Sequence, residues 1–336
     1  MGINGFVDTS CGRTNHLNQL LGIIMKAAYV KQYGNVENLI IGDLDKPSIS
    51  ASQVLIKVKA AGVNPVDFHI RNGILKDSGT HQLPLILGWD AAGIVSEVGQ
   101  HVTDFKLGDE VYVYAPLTEQ GAQAEYLAVD ADVVAHKPAS LSFIQSAAVP
   151  LAALTALQAL TTHGELQKGQ KVLIHNASGG VGNFAVQIAK HLGAYVIATG
   201  SEAKKDFIMG FGADEFIDYK QDDFEQRVSD IDLVFAAVGG NNIVERSLDV
   251  IKPSGRLISV LDEIDEKKAQ SLNIHYARMV VEPSKIGLNT ITDMLESNQL
   301  KVTIDSVFSL DDAKQAMIKS ESARATGKIV IEVVAN

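Results

Sequence analysis

The sequence predicts an α/β protein in which a doubly wound parallel sheet is joined to a second, mainly antiparallel, barrel-like domain. Three observations carry that expectation. The stretch 171–193, KVLIHNASGGVGNFAVQIAKHLG, passes from strand-type residues through a run of small ones into a helical repeat. Beyond it, short apolar runs alternate with helical segments, as parallel strands with crossover helices do. Ahead of it, residues 26–130 read as short strands separated by turn residues, without that alternation.

Composition bounds the partners. A chain of 336 residues suits about two domains, and 46% hydrophobic residues supply packed cores. Its 29 basic and 40 acidic residues give a formal charge of −11, with no basic cluster to follow a phosphate backbone, so nucleic acid is not the expected partner. No apolar run reaches the ~18 residues of a membrane span, and a soluble protein is expected. The single cysteine, Cys11, excludes an internal disulfide and a cysteine-built zinc cage, which fits a reducing cytoplasmic compartment. Residues 1–24 lack a basic start and a continuous apolar segment, so a disordered N-terminal extension is expected there.

Taken in order, strands are expected at 27–30, 39–41, 54–60, 93–98, 111–114 and 124–129, with Val54, Ile56 and Val58 alternating inward. Gly34, Pro47, Gly62, Gly73 and Gly79 mark turns among them. Pro138 closes this half, and Ser142 caps a helix expected over 143–160. Strand 172–176 then runs into Ala177, Ser178, Gly179, Gly180, Val181 and Gly182. Small residues at 177, 179 and 182 match the dinucleotide fingerprint with alanine in the first place: one for the turn, one for approach to a pyrophosphate, one for helix packing. Ala185, Val186, Ile188, Ala189 and Leu192 mark the helix that follows, whose start offers N–H groups to phosphate. Strands at 195–199, 215–218, 232–236, 256–261 and 274–281 continue the sheet, with a helical segment at 202–209. The chain closes with helix 286–295, strand 303–308, helix 311–318 and strand 328–334. Asp311 and Asp312 sit where a helix start favours negative charge.

Several stretches together resemble one family. They are AAGVNPVDFHIRNG at 60–73, LPLILGWDAAGIVSEVG at 83–99, FKLGDEVYVY at 105–114, GAQAEYLAV at 121–129, AAVPLAALTALQAL at 147–160, NASGGVG at 176–182 and ATGKIVI at 325–331. The sequence is similar in these to the zinc-independent quinone oxidoreductases of the medium-chain dehydrogenase/reductase superfamily. The resemblance implies a GroES-like catalytic domain over 25–145 and 284–336, split around a Rossmann NADP-binding domain over 146–283, with the cofactor in the cleft between them. Zinc-bearing relatives use a cysteine early in the catalytic domain and a Gly, His, Glu run. Here Asn64 stands near the cysteine position and Gly88, Trp89, Asp90 replace the run, and the four-cysteine structural lobe is missing. Tryptophan ligates no metal, so no zinc is expected and alcohol oxidation is disfavoured.

The resemblance places Asn64 toward nicotinamide and substrate, the other reading being Asn before Pro as an ordinary turn start. Asp67 is either a further polar contact or a cap for the following helix. His69 stands where relatives carry an aromatic near the substrate, as a proton donor or as an exposed helix histidine. Thr155 resembles a residue that approaches the nicotinamide carboxamide, and Arg324 and Lys328 resemble basic positions near the cofactor. Bland readings are helix packing for Thr155 and solvated charge for the other two. Ser178, Gly179, Gly180, Val181 and Gly182 are expected at the pyrophosphate. Val238 and Gly239, ending the strand that begins at Asp232, are expected along the nicotinamide half.

Cofactor choice turns on ATGSEAKK. An NAD site offers a carboxylate at the end of the second strand, whereas Gly200 and Ser201 stand there, followed by Lys204 and Lys205; Glu202 falls one residue late. A 2′-phosphate would meet Ser201 and Lys205, so NADPH is expected over NADH. The expected activity is hydride delivery to a quinone or an α,β-unsaturated carbonyl. The alternative is an NADPH-binding sensor with little turnover. Residues 274–281, IHYARMVV, suggest an edge for a homodimer.

Overall fold

Alternating inward residues build the first half. In the computed structural model, which describes residues 23–333, strand β1 (Ile24–Val30) lies between β2 (Leu39–Asp45) and a short β4 (Leu85–Ile86) that follows β3 (Gln53–Val63) and helix α1 (Pro65–Arg71) in the chain. The expected extension thus lies outside the described residues except for Ile23 and Ile24, and Ile24 already pairs with Asp45 in β1. Val54, Ile56 and Val58 of β3 are fully buried, while Lys57 and Lys59 between and beyond them are only half covered. On β3 are laid β5 (Asp90–Val98) and, farther along, β7 (Tyr126–Asp130), both antiparallel; β6 (Glu110–Tyr114) joins β5, and β8 (Val134–His136) joins β6.

The helix expected over 143–160 is broken. It divides into α2 (Phe143–Ala147) and α3 (Pro150–Gln158), followed by a wide turn at Ala159–His163. Pro150 has no N–H to give and its ring crowds the preceding turn, so it starts a new helix at its first position instead of continuing the old one. Ser142 caps α2 as expected, accepting from the Gln145 N–H at 3.2 Å.

The second half is a six-stranded, wholly parallel sheet. Strand β9 (Lys171–His175) leads through α4 (Gly182–His191) to β10 (Tyr195–Gly200), then α5 (Lys205–Gly210) and β11 (Glu215–Asp218). The chain crosses back to β12 (Ile231–Ala236), α6 (Ile243–Ser247), β13 (Ile251–Ser259), α7 (Glu266–Ser271) and β14 (His275–Arg278), giving the order β11-β10-β9-β12-β13-β14. All six expected strands are present, and the doubly wound fold class is the one observed. Helix α8 (Lys285–Glu296) packs on α3. After it β15 (Ile304–Ser309), α9 (Ala313–Glu321) and β16 (Lys328–Glu332) return to the first half, where β16 pairs antiparallel with β3. That return carries Lys328 to the end of β3 beside Asn64. Among the described residues no helix is long and apolar enough to cross a membrane.

Candidate functional site

Three strand ends and one returning loop meet at the carboxyl edge of the parallel sheet. Strand β9 lies between β10 and β12, where the direction of the connections reverses, and such sheets take ligands in the crevice above that point. Asn176 leaves β9 in the left-handed region at φ 56°, and the chain turns through Ala177–Val181 into α4. A Cβ on Gly182 would lie 2.1 Å from the Asn176 carbonyl oxygen and 2.8 Å from the Ala177 Cα, so only glycine lets the helix start this close to the strand end. Buried Asn183 closes the turn from inside, its amide donating to the carbonyls of Gly179 at 2.7 Å and Gly180 at 3.0 Å. Ser178, Gly179, Gly180 and Val181 remain half-buried on the outer side. A Cβ on Gly180 would come within 3.0 Å of the Lys328 side chain, and the Gly327 N–H donates to the Ser178 carbonyl at 3.1 Å. The loop that carries Lys328 therefore lies directly on the glycine turn.

The neighbouring strand ends supply the flanks. After β10, Ser201 is half-buried and extended, and exposed Lys205 stands 3.5 Å from Glu202. Lys204 instead reaches the Thr326 hydroxyl, tying the second strand end to the same returning loop, where Arg324 is exposed. Beyond β12, Val238 and Gly239 are half-buried; Asn176 donates to the Ala237 carbonyl at 3.3 Å and Asp262 accepts from the Gly240 N–H at 2.5 Å.

Below the glycine turn is a buried polar cluster. Asn64 is 2% exposed, and both ends of its amide are engaged: Nδ2 donates to Asp90 Oδ2 at 2.9 Å, and Oδ1 accepts from Lys328 Nζ. Lys328 Nζ also donates to the Val63 carbonyl at 3.2 Å and stands 3.6 Å from Asp90 Oδ2. The other oxygen of Asp90 accepts from the Leu151 N–H at 2.8 Å, in the first turn of α3, where a negative charge is favoured. Gly62 makes room: a Cβ there would lie 2.4 Å from the Ala147 carbonyl and 2.9 Å from the Asp90 Cβ. Asn64 is the N-cap residue of α1, and Asp67, in the first turn, takes part in the capping by accepting from the Asn64 N–H at 2.9 Å. Burial pushes the Asp67 carboxyl up to about 8, against the opposing Asn64 N–H bond, with nearby Asp90 adding to the rise. Burial likewise pushes Asp90 up and Lys328 down, and their mutual attraction opposes both shifts.

Lys328 is thus a buried residue with committed donors. Thr155, also buried, donates its hydroxyl to the Leu151 carbonyl at 2.7 Å within its own helix. His69 is half-buried against Phe68, and burial lowers its imidazole below the ordinary value while Glu321 of α9 opposes that shift. Trp89 is completely buried and donates its indole N–H to the Glu119 carbonyl at 3.1 Å. Asp90, Asn183, Asp262 and Thr326 were not singled out as site residues by the sequence. Only Asp90 left a signal there, as a lone charge within the otherwise uncharged stretch LPLILGWDAAGIVS.

Known proteins resemble the chain over most of its length. The model for an alcohol dehydrogenase GroES-like domain matches residues 50–139, and that for a zinc-binding dehydrogenase matches residues 211–331. The 2-methylene-furan-3-one reductase of Solanum lycopersicum is 36% identical, over 92% of this chain and 79% of its own. The chloroplastic NADPH-dependent alkenal/one oxidoreductase of Arabidopsis thaliana is 34% identical, over 91% of this chain and 79% of its own. Among solved structures, the quinone oxidoreductase from Coxiella burnetii superposes with a TM-score of 0.87 at 32% identity, covering 93% of this chain and 100% of that one.

Proposed function

The chain belongs to the medium-chain dehydrogenase/reductase superfamily, and from that premise we propose that it is an NADPH-dependent oxidoreductase delivering hydride to a quinone or to the β-carbon of an α,β-unsaturated carbonyl, without zinc. The observation that carries the reading is the buried Asn64–Asp90–Lys328 cluster lying against the glycine turn. By the resemblance, Asn64 stands near the cysteine position of the zinc-bearing relatives, and Trp89 and Asp90 stand in place of their His and Glu. Asn64 and Trp89 there do not make a zinc donor set: an amide committed to Lys328 and Asp90 and a buried indole offer the ion nothing to bind. Without a Lewis acid, an acceptor already activated by conjugation is the suitable one, and the names of the three relatives above fit that class.

The glycine turn fits the cofactor, because Gly182 lets α4 start directly against the end of β9 while Ser178, Gly179, Gly180 and Val181 keep a half-buried outer face at that helix start for a pyrophosphate. In this reading Ser178 to Gly182 hold the pyrophosphate, Ser201 and Lys205 the 2′-phosphate, and Thr155, Val238 and Gly239 the nicotinamide half, with Arg324 at the rim. Bound NADPH supplies the hydride. The positive Lys328, acting through Asn64, favours charge developing on the acceptor oxygen. Water supplies the proton, with His69 as its relay, since a histidine with a lowered pKa carries little proton of its own at neutral pH. We further propose the division into 25–145 with 284–336 and 146–283, a cytoplasmic location, and a homodimer across the outer strand β14, beside which Leu272 and Val280 are exposed.

The test is NADPH consumption with product identification, using one simple quinone and one short enone in parallel. Hydroquinone or saturated ketone supports the reading; tight NADPH binding with neither product would favour a sensor. Lys205→Ala is expected to raise the KM for NADPH about tenfold, the loss of one charge-assisted contact, and to leave the KM for NADH unchanged. Equal effects on both cofactors would remove Lys205 from the 2′-phosphate site.

A further inference from the structure

Two carboxylates and one ammonium are enclosed together beneath the glycine turn, and their contacts are unequal. Asp90 has the Leu151 N–H, the Asn64 amide and Lys328 as partners. Asp67 has the Asn64 N–H on one oxygen, while its other oxygen is buried and has no partner among the described residues. An ionised carboxylate with an unpaired oxygen in a dry site is costly, whereas a neutral carboxyl group is much less so.

Among the described residues the surroundings offer no other cation in contact with the two carboxylates. Tyr114 of β6 lies within electrostatic reach of Asp67 and Asp90, and burial holds its phenol neutral. Across α1, Arg71 is committed to Glu321 at 2.6 Å and to the Gly34 carbonyl at 3.1 Å, and His69 also faces Glu321. Lys328 stands 3.6 Å from Asp90 and acts on Asp67 only through its field, which burial outweighs, so a proton is what balances Asp67.

Resting on the hydride-transfer reading above, we infer that Asp67 is held protonated as the charge-setting residue of the Asn64–Asp90–Lys328 cluster, keeping it neutral beside the place where negative charge develops on the acceptor oxygen. Loss of that proton adds a second negative charge behind Asn64 and opposes the developing one. The residue acts through the field of the cluster, with no contact to substrate. Hydride transfer should accordingly slow by about tenfold once Asp67 ionises.

The sign of the linked stability follows from the raised carboxyl. Its contribution is fully present below the unfolded carboxylate value, and it is lost as pH rises through the folded value near 8. Urea unfolding of the cofactor-free protein between pH 5 and 8 should show a falling stability with a slope of about one proton, and Asp67→Asn should remove that proton from the slope. Carboxyl carbon NMR of the wild-type protein gives a second measure that needs no variant: one resonance should titrate near neutrality or above. Equal slopes in wild type and Asp67→Asn, or carboxyls all ionised by pH 6, would overturn the inference.

With NADPH and a conjugated acceptor, kcat in the wild type should fall on the alkaline side, and Asp67→Asn should lack that limb. A limb unchanged by the substitution would overturn the charge-setting role even if the proton is found. Failure of every acceptor would instead refute the reductase reading, while unfolding and NMR would still decide whether Asp67 holds the proton.

Discussion

Gly182→Ala is expected to weaken NADPH binding by at least about 100-fold, measured by fluorescence titration, in a chain that still folds. The added Cβ would lie 2.1 Å from the Asn176 carbonyl oxygen and 2.8 Å from the Ala177 Cα. Both neighbours are backbone, so no side chain can rotate away, and the start of α4 must move off the end of β9. Overpacking of that kind costs ~1–3 kcal/mol of stability, which a domain of this size tolerates. Binding suffers more because several contacts depend on one geometry. A phosphate at a helix start gains up to ~2 kcal/mol from the dipole, and each charge-assisted hydrogen bond adds ~1.5–3 kcal/mol. Displacing the turn by a few tenths of an ångström weakens these together, and ~2.8 kcal/mol is already 100-fold. Gly210→Ala is the control, since a Cβ there meets nothing within 4 Å. It should leave affinity unchanged. Wild-type affinity in Gly182→Ala, with the fold verified by circular dichroism, would remove the pyrophosphate from this turn.

The glycine turn and the parallel sheet were legible because their causes are local. Each buried strand is a short apolar run, and Gly182 is a glycine for a reason set by residues 176 and 177, a few positions away. The break at Pro150 was equally local, yet the small, apolar residues on both sides hid it; the ring of one proline outweighed the helical pattern of its neighbours. The cluster was not legible as a cluster. Asn64 and Asp90 are 26 positions apart, and Lys328 lies 264 positions beyond Asn64. The pairing of β5 with β3 brings Asp90 to Asn64, and the pairing of β16 with β3 brings Lys328 to both. Lys328 was singled out as a basic residue near the cofactor, but nothing around it in ATGKIVI tells that it is 3% exposed and bonded to Asn64. Asp67 was legible as a capping residue, being three positions from Asn64, but its burial beside Asp90 and Lys328 was not.

Lys328→Met is expected to destabilise the protein by ~3–5 kcal/mol, the largest loss from any single change in the cluster, measured by urea unfolding at pH 7. Methionine matches the aliphatic stem that lies on Gly180, so packing is largely conserved and the charge is what is removed. Asp90 is then a buried carboxylate with no cation, and the Asn64 carbonyl oxygen and the Val63 carbonyl lose their donor. If the cost arises from the stranded charge, removing that charge should recover it. In Lys328→Met with Asp90→Asn, the new amide oxygen can keep the Leu151 N–H, and with the Asn64 amide turned over, its nitrogen can donate to Asn64 Oδ1 in place of the bond that Asn64 Nδ2 gave, so one bond replaces another. The double variant should be more stable than Lys328→Met by ~1–3 kcal/mol, a coupling expected only between groups in direct contact. Additive losses would mean that Lys328 acts through the packing of its stem against the glycine turn, and the electrostatic account of Asn64 would fall with that result. Recovery of stability without recovery of NADPH-dependent reduction would separate the two roles of the pair, because the double variant has a satisfied interior but no positive charge behind Asn64 to meet the developing oxyanion.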